Sequence, residues 1–99
     1  MRLGPDQTVE LAEMLHIMGD ANRLGILLCC LDAERAVGDI AADLSLTPSL
    51  VSHHLRLLRG ARLVRARRQG KQVFYTAADA HVRSVIADLV AHVTEAEAE

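Results

Sequence analysis

The stretch Ser45-Leu46-Thr47-Pro48 most narrows what this chain can fold into. Thr followed by Pro is a helix start: the hydroxyl accepts a hydrogen bond from the first turn. Proline is tolerated at the first helical position, where a backbone N–H would have no partner. Upstream, Ile40, Ala41 and Leu44 fall on one face of a short helix within Val37–Leu44. Downstream, Val51, Leu55 and Leu58 recur at helical spacing and predict a helix from Pro48 to about Arg59, with Leu50 and Leu57 widening the apolar stripe. Two short helices joined by three residues, the second one basic, read as a helix-turn-helix over about residues 37–59.

The flanks complete the pattern. Leu63 to Arg67 and Lys71 to Tyr75 read as two strands, with Gln69-Gly70 in the turn where glycine permits a positive φ. A basic hairpin at about 63–75, directly after a helix-turn-helix, is a wing. Val9, Leu11, Ala12, Leu15, Ile17 and Met18 predict a first helix, which Gly19 breaks. Asp20 is the expected N-cap of a second helix through Leu24, Ile26, Leu27, Leu28 and Leu31, apolar over much of its surface and so expected to be buried. Asp79 is the expected N-cap of a last helix, Ala80 to about Glu95. With one Phe, one Tyr and no Trp in 99 residues, packing rests on Leu, Val, Ile and Ala, which favours helices. The expected fold is mainly α with a small β-hairpin, a single winged helix-turn-helix domain over residues 1–99. A domain this small buries a modest core and gains by sharing apolar surface with a second copy.

Net charge is only −2, but its distribution is uneven. From Leu44 to Ala78 there is no Asp or Glu, while Arg56, Arg59, Arg62, Arg65, Arg67, Arg68 and Lys71 give +7. A solvated surface run would ordinarily mix signs, so this span reads as a nucleic-acid footprint. On the helix from Pro48, Ser49, Ser52, His53 and Arg56 lie on the polar side and are the candidates for base edges and nearby phosphates, with Arg59 beside them. In the wing, Arg65, Arg67, Arg68 and Lys71 are candidates for phosphate or the minor groove, contacts that supply affinity and salt dependence.

The last helix carries Asp79, His81, His92 and Glu95. Taken singly, Asp79 can be only a cap, Glu95 only solvated, and each histidine only a surface or satisfied polar group. Their spacing is less ordinary. At about 100° per residue, His81, His92 and Glu95 fall within roughly 60° of one another. His81 and His92 are eleven residues apart, about 16 Å along the axis, so one helix cannot bring both to one ion. Two copies paired antiparallel about a two-fold axis near Ile86 and Ala87 change this. Asp79 and His81 of one copy then meet His92 and Glu95 of the other, and symmetry makes a second identical set. Two imidazoles and two carboxylates suit tetrahedral zinc, with cobalt and cadmium as alternatives.

Taken together, these stretches resemble the ArsR/SmtB metal-responsive repressors along nearly the whole chain. The resemblance is carried by Gly19-Asp20-Ala21-Asn22-Arg23-Leu24, Val37-Gly38-Asp39-Ile40-Ala41, Ser52-His53-His54-Leu55-Arg56-Leu57-Leu58 and Gln69-Gly70-Lys71-Gln72-Val73-Phe74-Tyr75. The helix-turn-helix alone is weakly diagnostic; joined to Asp-x-His, ten residues, then His-x-x-Glu, it is specific, and this C-terminal pattern is similar to the SmtB/CzrA-type zinc sensors. The resemblance implies a homodimer, joined through its N- and C-terminal helices, that binds an inverted-repeat operator in double-stranded DNA while metal-free and is released by zinc. It also implies that the ligand at His92 hydrogen-bonds a backbone carbonyl near the end of the reading helix, around Arg62. Ala36 stands where thiol-using relatives place a cysteine, and no histidine follows His92 or precedes His16, so the arsenic- and nickel-sensing variants are not expected.

Met1 to Glu13 carries Asp6, Glu10 and Glu13 and no long apolar run, and no stretch reaches the roughly 18 apolar residues of a membrane span. A cytoplasmic protein is expected, and the adjacent Cys29 and Cys30 are read as packing residues. The competing reading is a winged-helix regulator without metal, controlled by thiol redox or another ligand. Enzymatic activity is not expected: four protein ligands saturate a zinc site, and there is no nucleophile beside a base and no glycine-rich phosphate loop.

Overall fold

The computed structural model describes residues 1–98. These form α1 (Pro5–Met18), α2 (Ala21–Cys29), β1 (Arg35–Ala36), α3 (Val37–Leu44), α4 (Pro48–Gly60), β2 (Val64–Gln69), β3 (Gln72–Ala77) and α5 (Ala80–Ala98). The strands make one antiparallel sheet in the order β1-β3-β2. It is a winged helix-turn-helix: α3 and α4 are the motif, β2 and β3 the wing.

The core lies where α2, α3, α4 and the base of the sheet meet. Ile26, Leu27, Ile40, Val51, Leu55 and Leu58 are completely buried there, with Leu63 beside them. A fully buried aliphatic side chain contributes about 1.5–3 kcal/mol, against about 1 kcal/mol for a helix cap. The Val51–Leu55–Leu58 stripe therefore fixes the rotation of α4, and its cap only fixes where the helix begins. That cap is the expected one: Thr47 Oγ1 accepts from the Leu50 N–H at 3.2 Å, with Pro48 next in the chain.

One short motif closes two helix ends. The Asp20 carboxylate accepts from the Arg23 N–H at 3.0 Å and caps α2. Arg23 Nε in turn donates to the Ile17 carbonyl at 2.7 Å, occupying one of the open carbonyls at the end of α1.

Three features differ from the sequence expectation. Arg35 and Ala36 pair with Tyr75 and Phe74 and add a third strand, too short to leave a period of its own. The wing's turn is Gly70-Lys71, one residue later than expected; Gly70 has φ 62, and Lys71 is not among the positive-φ residues. Finally, α2 is not buried all round. Leu24 and Leu28 stay 36% and 40% exposed, because the core covers only the Ile26–Leu27 side.

Both helices of the motif end in a six-residue left-handed cap. Leu46 N–H donates to the Ala41 carbonyl at 3.0 Å around Ser45 (φ 55), and Leu63 N–H donates to the Leu58 carbonyl at 2.9 Å around Arg62 (φ 60). Glycine usually fills that position, since a Cβ there costs about 1 kcal/mol. Ser45 is exposed and its side chain makes no hydrogen bond among the described residues, so nothing offsets the strain. Replacing Ser45 with Gly is expected to stabilise the fold by about 0.5–1 kcal/mol, whereas Ser45→Val destabilises it. Urea unfolding of the two variants checks this.

Candidate functional site

The core stripe of α4 leaves its opposite side to solvent. Ser49, Ser52, His53, Arg56 and Arg59 are all exposed and recur every three or four residues, so they line one face. His54, next to His53, points the other way: it is 8% exposed, and its Nδ1 has no hydrogen-bond partner. The sequence reading did not single it out. The nearby Asp20 carboxyl is held below the ordinary range chiefly by the bond from the Arg23 backbone N–H, with the Arg23 charge adding to it.

In the wing, Arg65 and Arg67 lie on one face of β2, opposite Thr76 and Phe74 of β3, and Arg68 lies on the other face, opposite Val73. Arg68 stands just before the turn and Lys71 within it, and both are exposed. Among the described residues, no carboxylate lies within ion-pair distance of Arg56, Arg59, Arg65, Arg68 or Lys71. Arg67 differs. Its guanidinium is bonded to both oxygens of Glu34, at 2.7–3.1 Å, and to Gln69 Oε1 at 3.2 Å. Two further basic residues are paired: Arg62 with Glu10 of α1, and Arg35 with Asp43 of α3. These partners lie on different elements, 52 and 8 residues apart, so charge counting could not reveal them.

On α5, Asp79 Oδ1 accepts from the Val82 N–H at 3.0 Å, making Asp79 the expected cap, and this bond holds its carboxyl below the usual range. The same oxygen is 3.7 Å from His81 Nδ1. An oxygen and a nitrogen donor thus stand together at the start of the helix, with the His81 side chain 98% exposed. His92 and Glu95 are exposed near the other end, three residues apart. Among the described residues of one chain, no three His, Cys, Asp or Glu side chains gather as a metal site. The two donor pairs are complementary in kind but remain separate within a subunit.

The helix bearing them is half-covered. Val82 and Ile86 are buried against the domain, but Val85, Leu89 and Val93 are about half exposed, at 49%, 55% and 57%. On the helical wheel, Val85 and Leu89 lie between the buried stripe and the donor face. α1 behaves likewise: none of its residues is buried, and Val9, Leu11 and Leu15 are exposed.

The cysteines close α2. Cys30 is completely buried, and burial pushes its thiol up to about 12; burial also raises that of Cys29, which is half-buried. Both stay protonated at neutral pH, as packing residues do.

A helix-turn-helix whose second helix presents a polar, basic face, followed at once by a basic hairpin, defines a winged-helix DNA-binding regulator. The chain belongs to the ArsR family of bacterial regulatory proteins, whose family model matches residues 20–66. It is 37% identical to a transcriptional repressor SmtB homologue of Synechocystis, over 93% of this chain and 70% of that one. A homodimeric winged helix-turn-helix DNA-binding domain from Mycobacterium bovis superposes with a TM-score of 0.83 at 29% identity, covering 100% of this chain and 94% of the other. The cadmium sensor CmtR of Mycobacterium tuberculosis gives 0.70 at 42% identity, covering 80% and 82%. The chain is a transcriptional regulator and not an enzyme. No helix among the described residues is long and apolar enough to cross a membrane.

The thiol environments carry a direct expectation. Iodoacetamide at neutral pH leaves Cys30 unmodified in the folded protein and modifies Cys29 slowly, and both react once urea unfolds the chain. Mass spectrometry of the alkylated peptides reads this out, and rapid labelling of folded Cys30 contradicts it.

Proposed function

We propose that this regulator is a metal-responsive repressor acting as a homodimer. In the metal-free state it holds an inverted-repeat operator, and it lets go when a zinc ion, or cobalt or cadmium, is held between the two α5 helices. The observation that carries the reading is the split donor set: Asp79 with His81 at one end of α5, His92 with Glu95 at the other, all exposed and flanked by the uncovered Val85–Leu89 stripe. Antiparallel packing of two such stripes buries them and brings each Asp79–His81 pair to the partner's His92 and Glu95, an N2O2 set suited to tetrahedral zinc. One oxygen of Asp79 caps the helix, so the ligand most constrained by the fold is already oriented. The bound ion would supply a fixed divalent charge joining the two helices.

Ser49, Ser52, His53 and Arg56 of α4 take the base edges and nearby phosphates of the major groove. Arg59, Arg65, Arg68 and Lys71 take phosphate or the minor groove. The link between the two regions runs through the end of α4. Arg62 ends the left-handed cap of that helix and ion-pairs with Glu10 of α1, so the reading helix is tied to an element of the uncovered apolar face. A hydrogen bond from the unligated ring nitrogen of His92 to the carbonyl region near Arg62 would complete that link.

The test is a titration of fluorescein-labelled duplex from the promoter region of the chain's own gene, with and without zinc, cobalt, cadmium or nickel. Wild type is expected to bind about one zinc per chain and to lose DNA affinity on loading. His92→Ala remains dimeric and binds DNA but loses the zinc response. An unchanged zinc response in His92→Ala, with the dimer intact, sinks the sensing account and leaves a regulator without this metal site.

A further inference from the structure

Among the described residues, Arg67 is the one wing arginine whose charge is already used. β1 and β2 are not paired; β3 lies between them. Glu34 immediately precedes β1, while Arg67 is mid-way along β2, opposite Phe74. To reach Glu34, the Arg67 side chain must therefore cross β3. It does so over the Phe74 ring, with the guanidinium carbon 5.3 Å from the ring centroid, and ends in a two-pronged bond to the Glu34 carboxylate at 2.7–3.1 Å. The next residue, Arg35, turns to the other side of the motif and pairs with Asp43 near the end of α3. Consecutive residues 34 and 35 thus grip the wing and the first helix of the reading motif.

We infer that Arg67 is a positioning residue for DNA binding and not a phosphate contact. Through Glu34 it staples the wing across the sheet to the segment that also holds α3, setting where the tip residues Arg68 and Lys71 stand relative to α4. A planar guanidinium suits the task, since it can stack on an aromatic ring and fork onto a carboxylate together. The inference rests on the proposed use of the wing on DNA.

The test uses the full-length protein and the labelled promoter duplex across a salt series. A phosphate contact and a staple differ in the slope of log affinity against log salt, which falls by about 0.9 for each lost phosphate contact. In a homodimer Lys71→Gln removes two such contacts, so the slope is expected to fall by about 1.8. Arg67→Gln and Glu34→Gln are each expected to weaken binding about two- to fivefold with the slope unchanged. The double variant should be no weaker than either single one, because both remove the same link. Thermal unfolding should hardly move. In the free protein, the wing amides from Arg68 to Lys71 should shift in the NMR spectrum of Glu34→Gln while those of α4 stay in place. A lower slope in Arg67→Gln, or additive losses in the double variant, assigns Arg67 to the DNA and overturns the inference. Tighter binding by Glu34→Gln overturns it too, since Glu34 would then only mask a DNA-binding charge. A wing that does not meet DNA is recognised separately: Lys71→Gln would then change neither affinity nor slope, and the staple's role in DNA binding falls with it.

Discussion

The exposed polar face of the helix-turn-helix depends on how one helix is rolled. α4 has a single buried stripe, Val51, Leu55 and Leu58, and that stripe has one place to go, against Ile26 and Leu27 of α2 and Ile40 of α3. Turning α4 by one residue so that Ser52, Arg56 and Arg59 faced inward would take two completely buried leucines into water and drive arginines into the core. The polar face is therefore not independently specified. Ser49, Ser52, His53, Arg56 and Arg59 point outward because the leucines cannot, and the left-handed caps at Ser45 and Arg62 then hold the ends of both motif helices in place.

The elements that could be read from the sequence are those whose cause is local. Thr47-Pro48 starts a helix, Asp20 and Asp79 cap one, and Gly70 turns a hairpin, each within four residues of its effect. The basic span and the Asp-x-His…His-x-x-Glu spacing are likewise visible in one dimension. What escaped depends on contacts between distant residues. β1 is two residues long and exists because β3 offers it an edge. Arg67 looked like its neighbours because its partner, Glu34, lies thirty-three residues earlier. Leu24 and Leu28 looked buried because hydrophobicity alone does not say whether the covering surface belongs to the same subunit. His54 was passed over for a similar reason, since a histidine beside exposed His53 carries no mark of facing the core.

The charges fall into two groups with separate work. Arg23, Arg35, Arg62 and Arg67 each bond a partner within the chain and hold one element to another. Arg56, Arg59, Arg65, Arg68 and Lys71 have no such partner among the described residues. Surface ion pairs add little to stability, typically less than about 1 kcal/mol. Their value in the first group is geometric: they set angles between pieces that the small core does not reach.

The bareness of α1 has a consequence for how the molecule holds together. None of its fourteen residues is fully buried, and only Met14, Ile17 and Met18, near its C-terminal end, pack against the core of their own subunit, while a helix of this length is marginal in water by itself. Packing of a second copy on the exposed Val9, Leu11 and Leu15 would make the order of this helix rise with protein concentration, by mass action.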